Sequence, residues 1–307
     1  MNKFLKPIFG LLITGLATGA LASDYYEFST FAGMGLEYDV DSYGNTIYYG
    51  GGTSVYSVDV SIADMSKVNE PRFLSDGVTP NPNYQARTFS NNQAITLSGS
   101  PQTLNGASVG EMYIDANNIY TLGKASNGRG GAVYSFNKST GAYNGTAVAG
   151  GNINSGWGYD SLLSYGGDKW WLANERSQVY SSTGGDWTYE FTWPSMNGGH
   201  GDGMEYVNGH IFVSDMTSNF IAMWDYDGTS WSETERFAYT EAGGTNKYVE
   251  GMGFGALGHF WAGSGSYIYE LGGGSIDDYT NDVPEPGSLM LIGIGLMSLS
   301  GIRRFTA

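Results

Sequence analysis

Cysteine is absent from the 307 residues, so the sequence excludes disulfides, thiol catalysis and cysteine-ligated zinc. Basic residues are scarce, since 14 Lys and Arg stand against 30 Asp and Glu for a net charge of −16. A chain this acidic disfavours nucleic acid as a partner, because binding to phosphates requires clustered basic side chains. Its composition is instead consistent with solubility, divalent cations or neutral sugars.

Long apolar runs are also missing, and the two apolar stretches that exist stand at the ends of the chain. The first follows two lysines and extends from Ile8 to Leu21, which is shorter than the roughly 20 residues that cross a bilayer. Ala20 and Ala22 then supply the small-x-small pattern of a signal peptidase site, with Ser23 as the new N-terminus. We therefore predict a removable signal peptide over residues 1–22 rather than a transmembrane anchor.

The second apolar stretch, from Gly287 to Ile302, lies between a proline-rich motif and a basic end. The motif is Pro284-Glu285-Pro286 and the basic end is Arg303-Arg304. The prolines prevent a helix from beginning early, and the arginines would hold the helix end at the cytoplasmic face of a membrane. This order resembles the PEP-CTERM sorting signal of proteins exported from Gram-negative-type cells.

The resemblance implies processing by an exosortase-type membrane protease, with cleavage near the Pro-Glu-Pro motif and a transient membrane association through the C-terminal helix. After signal peptidase acts, the chain would pass an inner-membrane or periplasmic stage and finish at the cell surface or outside the cell. Proteins of this family go with exopolysaccharide and biofilm matrix. A permanent tail anchor is the alternative. We expect one folded domain over residues 23–280 and a sorting tail over residues 283–307.

The folded region is rich in glycine and aromatic residues, with 48 glycines and 15% aromatics, and poor in proline, with eight. Short segments of Tyr, Val, Ile, Phe and Trp alternate with Gly, Asn, Asp and Ser, and no stretch keeps a helical period. This pattern indicates many short strands joined by tight turns. We therefore predict an all-β fold.

A repeat of strand-like segments specifies that fold further. One unit has such segments at 204–207, 210–215, 220–225 and 231–239, with Asn208-Gly209 as a two-residue hairpin turn. The third strands of successive units begin near Val55, Val133, Val179, Ile221 and Ile268, at steps of 78, 46, 42 and 47 residues. Steps near 45 match a four-stranded propeller blade. The long first step leaves room for a degenerate blade or an inserted loop between residues 65 and 108.

We therefore predict a β-propeller of five or six four-stranded blades, with a β-sandwich or a β-helix as alternatives. The last unit, at 251–271, lacks an outer strand. Residues 25–31 resemble the outer strand of another unit, so we expect them to complete the last blade and close the ring, which removes exposed sheet edges.

Acidic residues stand at or beside the first strand of several units, where a propeller lines its central channel. They predict a cation site, with calcium the expected ion outside the cell because it accepts several oxygen ligands without strict geometry. The structural alternative is that these carboxylates accept hydrogen bonds from backbone N–H groups of neighbouring blades, with no metal. The candidate metal ligands are Glu37, Asp202, Glu205, Glu250 and His200.

The segment 199–215 loosely resembles calcium-dependent propellers of the gluconolactonase and strictosidine-synthase type. That resemblance implies lactone or ester hydrolysis, with a metal-polarised carbonyl and a carboxylate or His200 as base. An ordered ligand set across blades and a Gly-x-Ser-x-Gly elbow are both missing from the sequence.

The tryptophans divide between core packing and ligand binding. We expect most of them to pack between blades, and Trp157, which stands in a glycine-rich loop, to be the candidate for stacking on a sugar. The leading hypothesis is a non-catalytic surface or matrix protein that binds polysaccharide. The alternative is a calcium-dependent lactonase or ester hydrolase.

Overall fold

The computed structural model shows one closed ring of β-sheets. It describes residues 24–34, 39–51, 54–99, 112–123, 125–127, 129–153, 161–174, 178–193, 201–215, 220–239 and 249–280. None of the helices in these ranges is long and apolar enough to cross a membrane.

The described residues form five antiparallel sheets of four strands each. Blade 1 contains β2–β5, blade 2 contains β6–β9, blade 3 contains β10–β13, blade 4 contains β14–β17, and blade 5 contains β18–β20 with β1. In chain order the strands are β1 (Tyr26–Ala32), β2 (Val40–Tyr43), β3 (Thr46–Gly51), β4 (Ser54–Ser61), β5 (Thr88–Thr96), β6 (Met112–Ile114), β7 (Asn118–Gly123), β8 (Ala132–Asn137), β9 (Tyr143–Val148), β10 (Ser161–Gly166), β11 (Lys169–Asn174), β12 (Gln178–Ser182), β13 (Thr188–Thr192), β14 (Gly203–Val207), β15 (His210–Ser214), β16 (Phe220–Tyr226), β17 (Trp231–Ala238), β18 (Met252–Phe254), β19 (Phe260–Ser264) and β20 (Tyr267–Gly272).

The first strands of the blades contact one another in the cyclic order β2, β6, β10, β14, β18 and back to β2. This ring confirms the all-β propeller and gives it five blades. The long first step of the repeat comes from an insertion between β4 and β5, at residues 62–87, inside blade 1. Of the two readings left open by the sequence, the inserted loop is therefore correct and the extra blade is not.

Each interface between neighbouring blades holds its own hydrophobic cluster. Between blades 3 and 4, for example, Trp171, Phe191 and Trp224 pack with strand residues of both sheets. Between blades 5 and 1, Trp261 packs against Tyr49. These large rings fill the wedge that opens between twisted sheets as they diverge from the axis, so the structure assigns most of the tryptophans to the core, as predicted.

Blade 5 is assembled from both ends of the domain. Its outer strand is β1, which pairs antiparallel with β20 from Tyr26 opposite Gly272 to Ala32 opposite Tyr267. Just before β1, the carbonyl of Asp24 accepts a hydrogen bond of 3.1 Å from Ile276 N. The start and the end of the described domain are therefore adjacent.

The insertion of blade 1 packs across the junction between β1 and β20 and stabilises it. Arg87 Nε donates to both carboxylate oxygens of Glu270 on β20, at 3.0 and 2.9 Å, and both side chains are fully buried. His259 Nδ1 lies 2.8 Å from Glu270 Oε1, and its ring stacks on Phe28 of β1 with centroids 4.4 Å apart. Tyr84 of the insertion donates from its hydroxyl to the carbonyl of Phe28 at 2.6 Å. The insertion thus holds β1 in place.

Turns between first and second strands define one face of the ring, which we call the hairpin face. It carries Gly44-Asn45 in blade 1, Asn208-Gly209 in blade 4 and the short helical turn Ala256–Gly258 in blade 5. Asn208 and Gly209 both have positive φ, at 52° and 96°, as the predicted two-residue hairpin requires. The final helix α1 (Asp277–Thr280) is held on this face, because Asn208 Nδ2 donates to the carbonyl of Tyr279 at 3.0 Å.

Candidate binding site

A cavity of about 790 Å³ opens on the hairpin face at the mouth of the central channel. All five blades contribute to its wall, since they bring their inner strands and turns together at the axis. Its aromatic lining consists of Tyr43, Tyr113, Tyr165, Tyr206 and Phe254, and the amides of Asn45, Asn69 and Asn208 lie at its edges. Of the acidic residues that the structure describes, Asp41 and Glu205 line it. The cavity therefore combines flat apolar rings with a few polar groups.

Asp41 lies on β2 and is 3% exposed. Its Oδ1 accepts from Ser42 N at 2.7 Å, and its Oδ2 accepts from Ile114 N of blade 2 at 2.5 Å. Asp39, two residues earlier and deeper in the channel, accepts in the same way from Met112 N of blade 2. Both carboxyl groups therefore link neighbouring blades through backbone N–H groups.

Glu205 lies on β14 of blade 4 and is 6% exposed. The hydroxyl of Ser164, on β10 of blade 3, hydrogen-bonds to it. The same Ser164 Oγ accepts from Tyr206 N at 3.0 Å. A serine of one blade thereby positions the glutamate of the next.

The carboxyl groups of the channel interact electrostatically. Burial, followed by repulsion from Asp39, raises the pKa of Asp41 well above its ordinary value. Burial, followed by repulsion from Asp41, likewise raises the pKa of Glu205 well above its ordinary value. Tyr113 also has a raised pKa, because of burial and then the nearby charges of Asp41 and Glu205. Asp41 and Glu205 therefore keep their protons to higher pH than isolated carboxyl groups do.

A glycine permits the approach of β18 to Asp41. A Cβ atom at Gly253 would lie 2.6 Å from both the Cα and the Oδ1 of Asp41. Distances this short do not occur between real side chains and backbone, so only glycine lets the inner strands of blades 5 and 1 meet here. Gly253 consequently helps to set the position of Asp41 at the cavity.

The structure separates the predicted metal ligands. Glu205 lies in the channel, at the cavity on the hairpin face. Asp202 and Glu250 precede β14 and β18 and so lie at the opposite end of the inner strands, where burial and then the charge of Asp202 raise the pKa of Glu250. Within the ranges that the structure describes, no three His, Asp or Glu side chains are grouped closely enough to hold a metal ion. The calcium site thus stays a prediction.

Several candidate residues fall outside the described ranges. They are the signal peptidase residues Ala20, Ala22 and Ser23, the candidate ligands Glu37 and His200, the candidate sugar-stacking Trp157, and the tail residues Pro284, Glu285, Pro286, Arg303 and Arg304.

Sequence reasoning missed Asp39 and Asp41 as channel residues and chose Glu37 instead. Their signal was present, because Asp39 and Asp41 are two positions apart just before the Gly44-Asn45 turn, and a strand places such residues on one face. The aromatic lining was also missed, since residues of five blades meet only in the closed ring.

A comparison with known protein families finds a match at the C-terminal end of the chain. Residues 282–304 match the PEP-CTERM protein-sorting motif. This match confirms the predicted sorting signal. The motif indicates an exported protein that is processed by an exosortase and passes through the membrane to the cell surface.

A comparison with solved structures finds proteins that superpose on most of this chain. Myxococcus xanthus glutaminyl cyclase superposes with a TM-score of 0.50 at 10% identity, covering 81% of this chain and 95% of that chain. A luciferin-regenerating enzyme gives a TM-score of 0.46 at 12% identity over 81% and 95%, and streptogramin B lyase gives 0.41 at 11% over 81% and 97%. At such identities the likeness to the cyclase concerns the fold alone. No curated protein matches the sequence.

Proposed function

We propose that this exported, PEP-CTERM-bearing propeller is a non-catalytic surface or matrix protein that binds a sugar of an extracellular polysaccharide in the hairpin-face cavity. The observation that carries the proposal is the lining of that cavity, where aromatic rings stand beside amide and carboxyl groups. The cavity's volume of about 790 Å³ lies within the usual range of ligand sites.

The chemistry of the lining favours a hydroxyl-rich ligand. Rings such as those of Tyr206 and Phe254 offer flat apolar surfaces for the C–H faces of a sugar. The amide of Asn45 offers a donor and an acceptor to hydroxyl groups, and Asn208, whose Nδ2 donates to the carbonyl of Tyr279, offers its amide oxygen as an acceptor. The lining residues that the structure describes include no Lys, Arg or His, so an anionic ligand would meet only negative or neutral groups among them.

A binding role accounts for the carboxyl groups better than catalysis does. Both oxygens of Asp41 already accept backbone hydrogen bonds, and Glu205 is held by Ser164. A general base must come within hydrogen-bond reach of the proton that it removes, and the links between blades fix the position of these carboxyl groups. We therefore assign these groups to orientation of a bound ligand.

The test is the affinity of the purified protein for a panel of soluble oligosaccharides, measured by calorimetry for the wild type and two variants. Tyr43→Ala removes a ring at the cavity rim that is 41% exposed, and Tyr189→Ala removes a similarly exposed ring, at 51%, from the outer strand of blade 3. Tyr43→Ala should weaken binding about tenfold or more, in line with the loss of one aromatic contact, while Tyr189→Ala should not change it. Equal effects of the two variants, or no binding to any glycan, would refute the proposal.

A calcium-dependent hydrolase is the second proposal, supported by the electrostatic coupling of Asp202 and Glu250 at the other end of the channel. It predicts that millimolar calcium raises the melting temperature and that excess chelator reverses the change, because a ligand that binds the native state stabilises it. Absence of a shift, together with no hydrolysis of lactones, would exclude it.

A further inference from the structure

We propose that the ligand of the hairpin-face cavity carries a primary ammonium group, which Asp41 and Glu205 receive from opposite sides of the channel. The ligand class is then a polysaccharide of amino sugars with free amines. This inference rests on the proposed function, since it assigns the chemistry of the sugar that the same cavity binds.

The first argument is the balance of charge in the cavity. The carboxyl groups of Asp41 and Glu205 line it, Asp39 lies just behind them, and none of the lining residues within the described ranges is basic. Lys138 approaches the outer side of the rim, with Nζ 4.2 Å from the ring centre of Tyr43, but it donates to the carbonyl of Asp115 at 2.7 Å. A positive charge brought by the ligand would therefore be the first one to reach these carboxyl groups.

The second argument is the position of the two carboxyl groups in the ring. Asp41 belongs to blade 1 and Glu205 to blade 4, and these blades are not neighbours in the ring. Their mutual repulsion therefore acts across the channel. A ligand group on the channel axis would lie between Asp41 and Glu205 and could interact with both carboxyl groups. Each oxygen of Asp41 uses one lone pair on a backbone N–H and keeps a second for a ligand.

The third argument compares an ammonium group with the other occupants. An ammonium group has three N–H donors and one positive charge, which suits two carboxylates and a nearby ring such as that of Tyr113 through cation–π attraction. Calcium takes six to eight oxygen ligands, and the described residues offer no group of three acidic or histidine side chains. A neutral sugar would bring no positive charge to these two carboxyl groups.

Binding of an ammonium group should also release protons. The raised pKa values mean that the two carboxyl groups retain protons to higher pH than isolated ones in the free protein, and a cation between them would replace those protons. Among the described residues, Asp39 on the same segment and Tyr48 on β3 interact with the pair, and Tyr43, Tyr113, Tyr165 and Tyr206 line the cavity beside it. Burial raises the pKa values of Tyr48, Tyr113 and Tyr206, so these tyrosines stay neutral. Affinity should therefore rise with pH until the amine itself loses its proton.

The experiment compares two matched probes, a glucosamine hexamer with free amines and its fully N-acetylated counterpart. Calorimetry in two buffers of different ionisation enthalpy gives both affinity and proton release. The wild type should bind the free-amine hexamer at least about tenfold more tightly, as expected for a charge-assisted hydrogen bond, and release protons on binding. Glu205→Gln should remove both the preference and the proton release.

The control variant is Asp168→Asn, which removes a negative charge from the same face outside the cavity lining. Asp168 is exposed and has a φ of 61°, a conformation that Asn also tolerates. This variant should keep the preference for the free amine. A melting curve for each variant shows that it is folded.

Each other outcome is decisive. Equal binding of both hexamers, or tighter binding of the acetylated one, would overturn the amine proposal and leave sugar binding standing. Binding of neutral glucans alone would do the same. Displacement of the free-amine hexamer by millimolar calcium would assign the pair to a metal ion instead. Failure of every glycan to bind would refute the proposed function together with this inference.

Discussion

Arg87 and Glu270, which are 183 positions apart in the sequence, form a fully buried ion pair with Nε–Oε distances of 3.0 and 2.9 Å. The pair joins the insertion of blade 1 to the third strand of blade 5. It lies directly behind β1, the strand that completes the last blade. The stability of the ring at this junction therefore depends on residues from both ends and from the insertion.

Removal of one partner from this pair should destabilise the ring strongly. Arg87→Ala leaves the Glu270 carboxylate buried without its cation, and we expect a loss of about 3–5 kcal/mol in the free energy of unfolding. Arg236→Ala is the matched control, because Arg236 pairs with Glu233 on the exposed outer strand of blade 4 and such pairs contribute less than about 1 kcal/mol. Urea unfolding measures both changes. Similar losses of stability in the two variants would contradict a special contribution of the Arg87–Glu270 pair to the stability of the ring.

The channel carboxyl groups should give the protein an unusual dependence on pH. The folded state raises the pKa of Asp41 and Glu205, so between the unfolded value of about 4 and the folded values it binds more protons than the unfolded chain. Stability from this source is present at low pH and is lost as pH rises through that window. Glu205→Gln should make this loss shallower and raise the melting temperature at neutral pH.

Glu270 should give the stability of the folded state the opposite dependence on pH. Burial raises the pKa of Glu270, but hydrogen bonds and charge from His259 and Arg87 outweigh it and leave the pKa below its ordinary value. Its contribution is present above the unfolded pKa and is lost as pH falls through the folded one. Urea unfolding between pH 3 and 8 should therefore show a maximum in mild acid, and Asp168→Asn should leave the curve unchanged. Stability that rises steadily up to pH 8 would contradict the assignment of the channel carboxyl groups.

The contact of β18 with Asp41 is testable with a single methyl group. Gly253→Ala places a Cβ atom 2.6 Å from Asp41, and we expect it to cost about 1–3 kcal/mol and to weaken ligand binding in the cavity. Gly185→Ala is the control, since a Cβ there meets no atom within 4 Å. A neutral effect of Gly253→Ala on melting and binding would show that the inner strands can move apart.

The position of the sorting tail predicts that processing exposes the cavity. Thr280 lines the cavity and is buried, and six residues separate it from the apolar run that begins at Gly287. An extended chain of that length spans at most roughly 25 Å, so if the tail holds the precursor in a membrane, we expect the hairpin face to lie close to that membrane.

Because the chain has no cysteine, single cysteines can report this orientation. Asn45→Cys marks the exposed hairpin face and Ser266→Cys marks the exposed turn at the opposite face. In membrane-held precursor, a bulky maleimide should label residue 45 several-fold more slowly than residue 266, and the two rates should become equal after release. Equal rates in the precursor would show that the cavity already faces away from the membrane.

Local sequence patterns were enough to predict much of the ring. The Asn208-Gly209 turn follows from the rarity of positive φ in other residues, and the spacing of third strands follows from the fixed length of a four-stranded blade. The tryptophans were correctly assigned to the core because wide rings fit the space between diverging sheets. Asp202, Glu205 and Glu250 looked alike in sequence, yet only Glu205 reaches the hairpin-face cavity.

The sequence by itself determined that the chain is exported, because the sorting motif at 282–304 is a contiguous signal read without folding. It also determined the all-β propeller, since strand period, turn residues and repeat length are local properties. Only the tertiary structure decided that there are five blades, that Arg87 meets Glu270, and that Asp41 and Glu205 line one cavity. Those pairings join residues far apart in the chain, and nothing local fixes them until the ring closes and brings the inner strands to one axis.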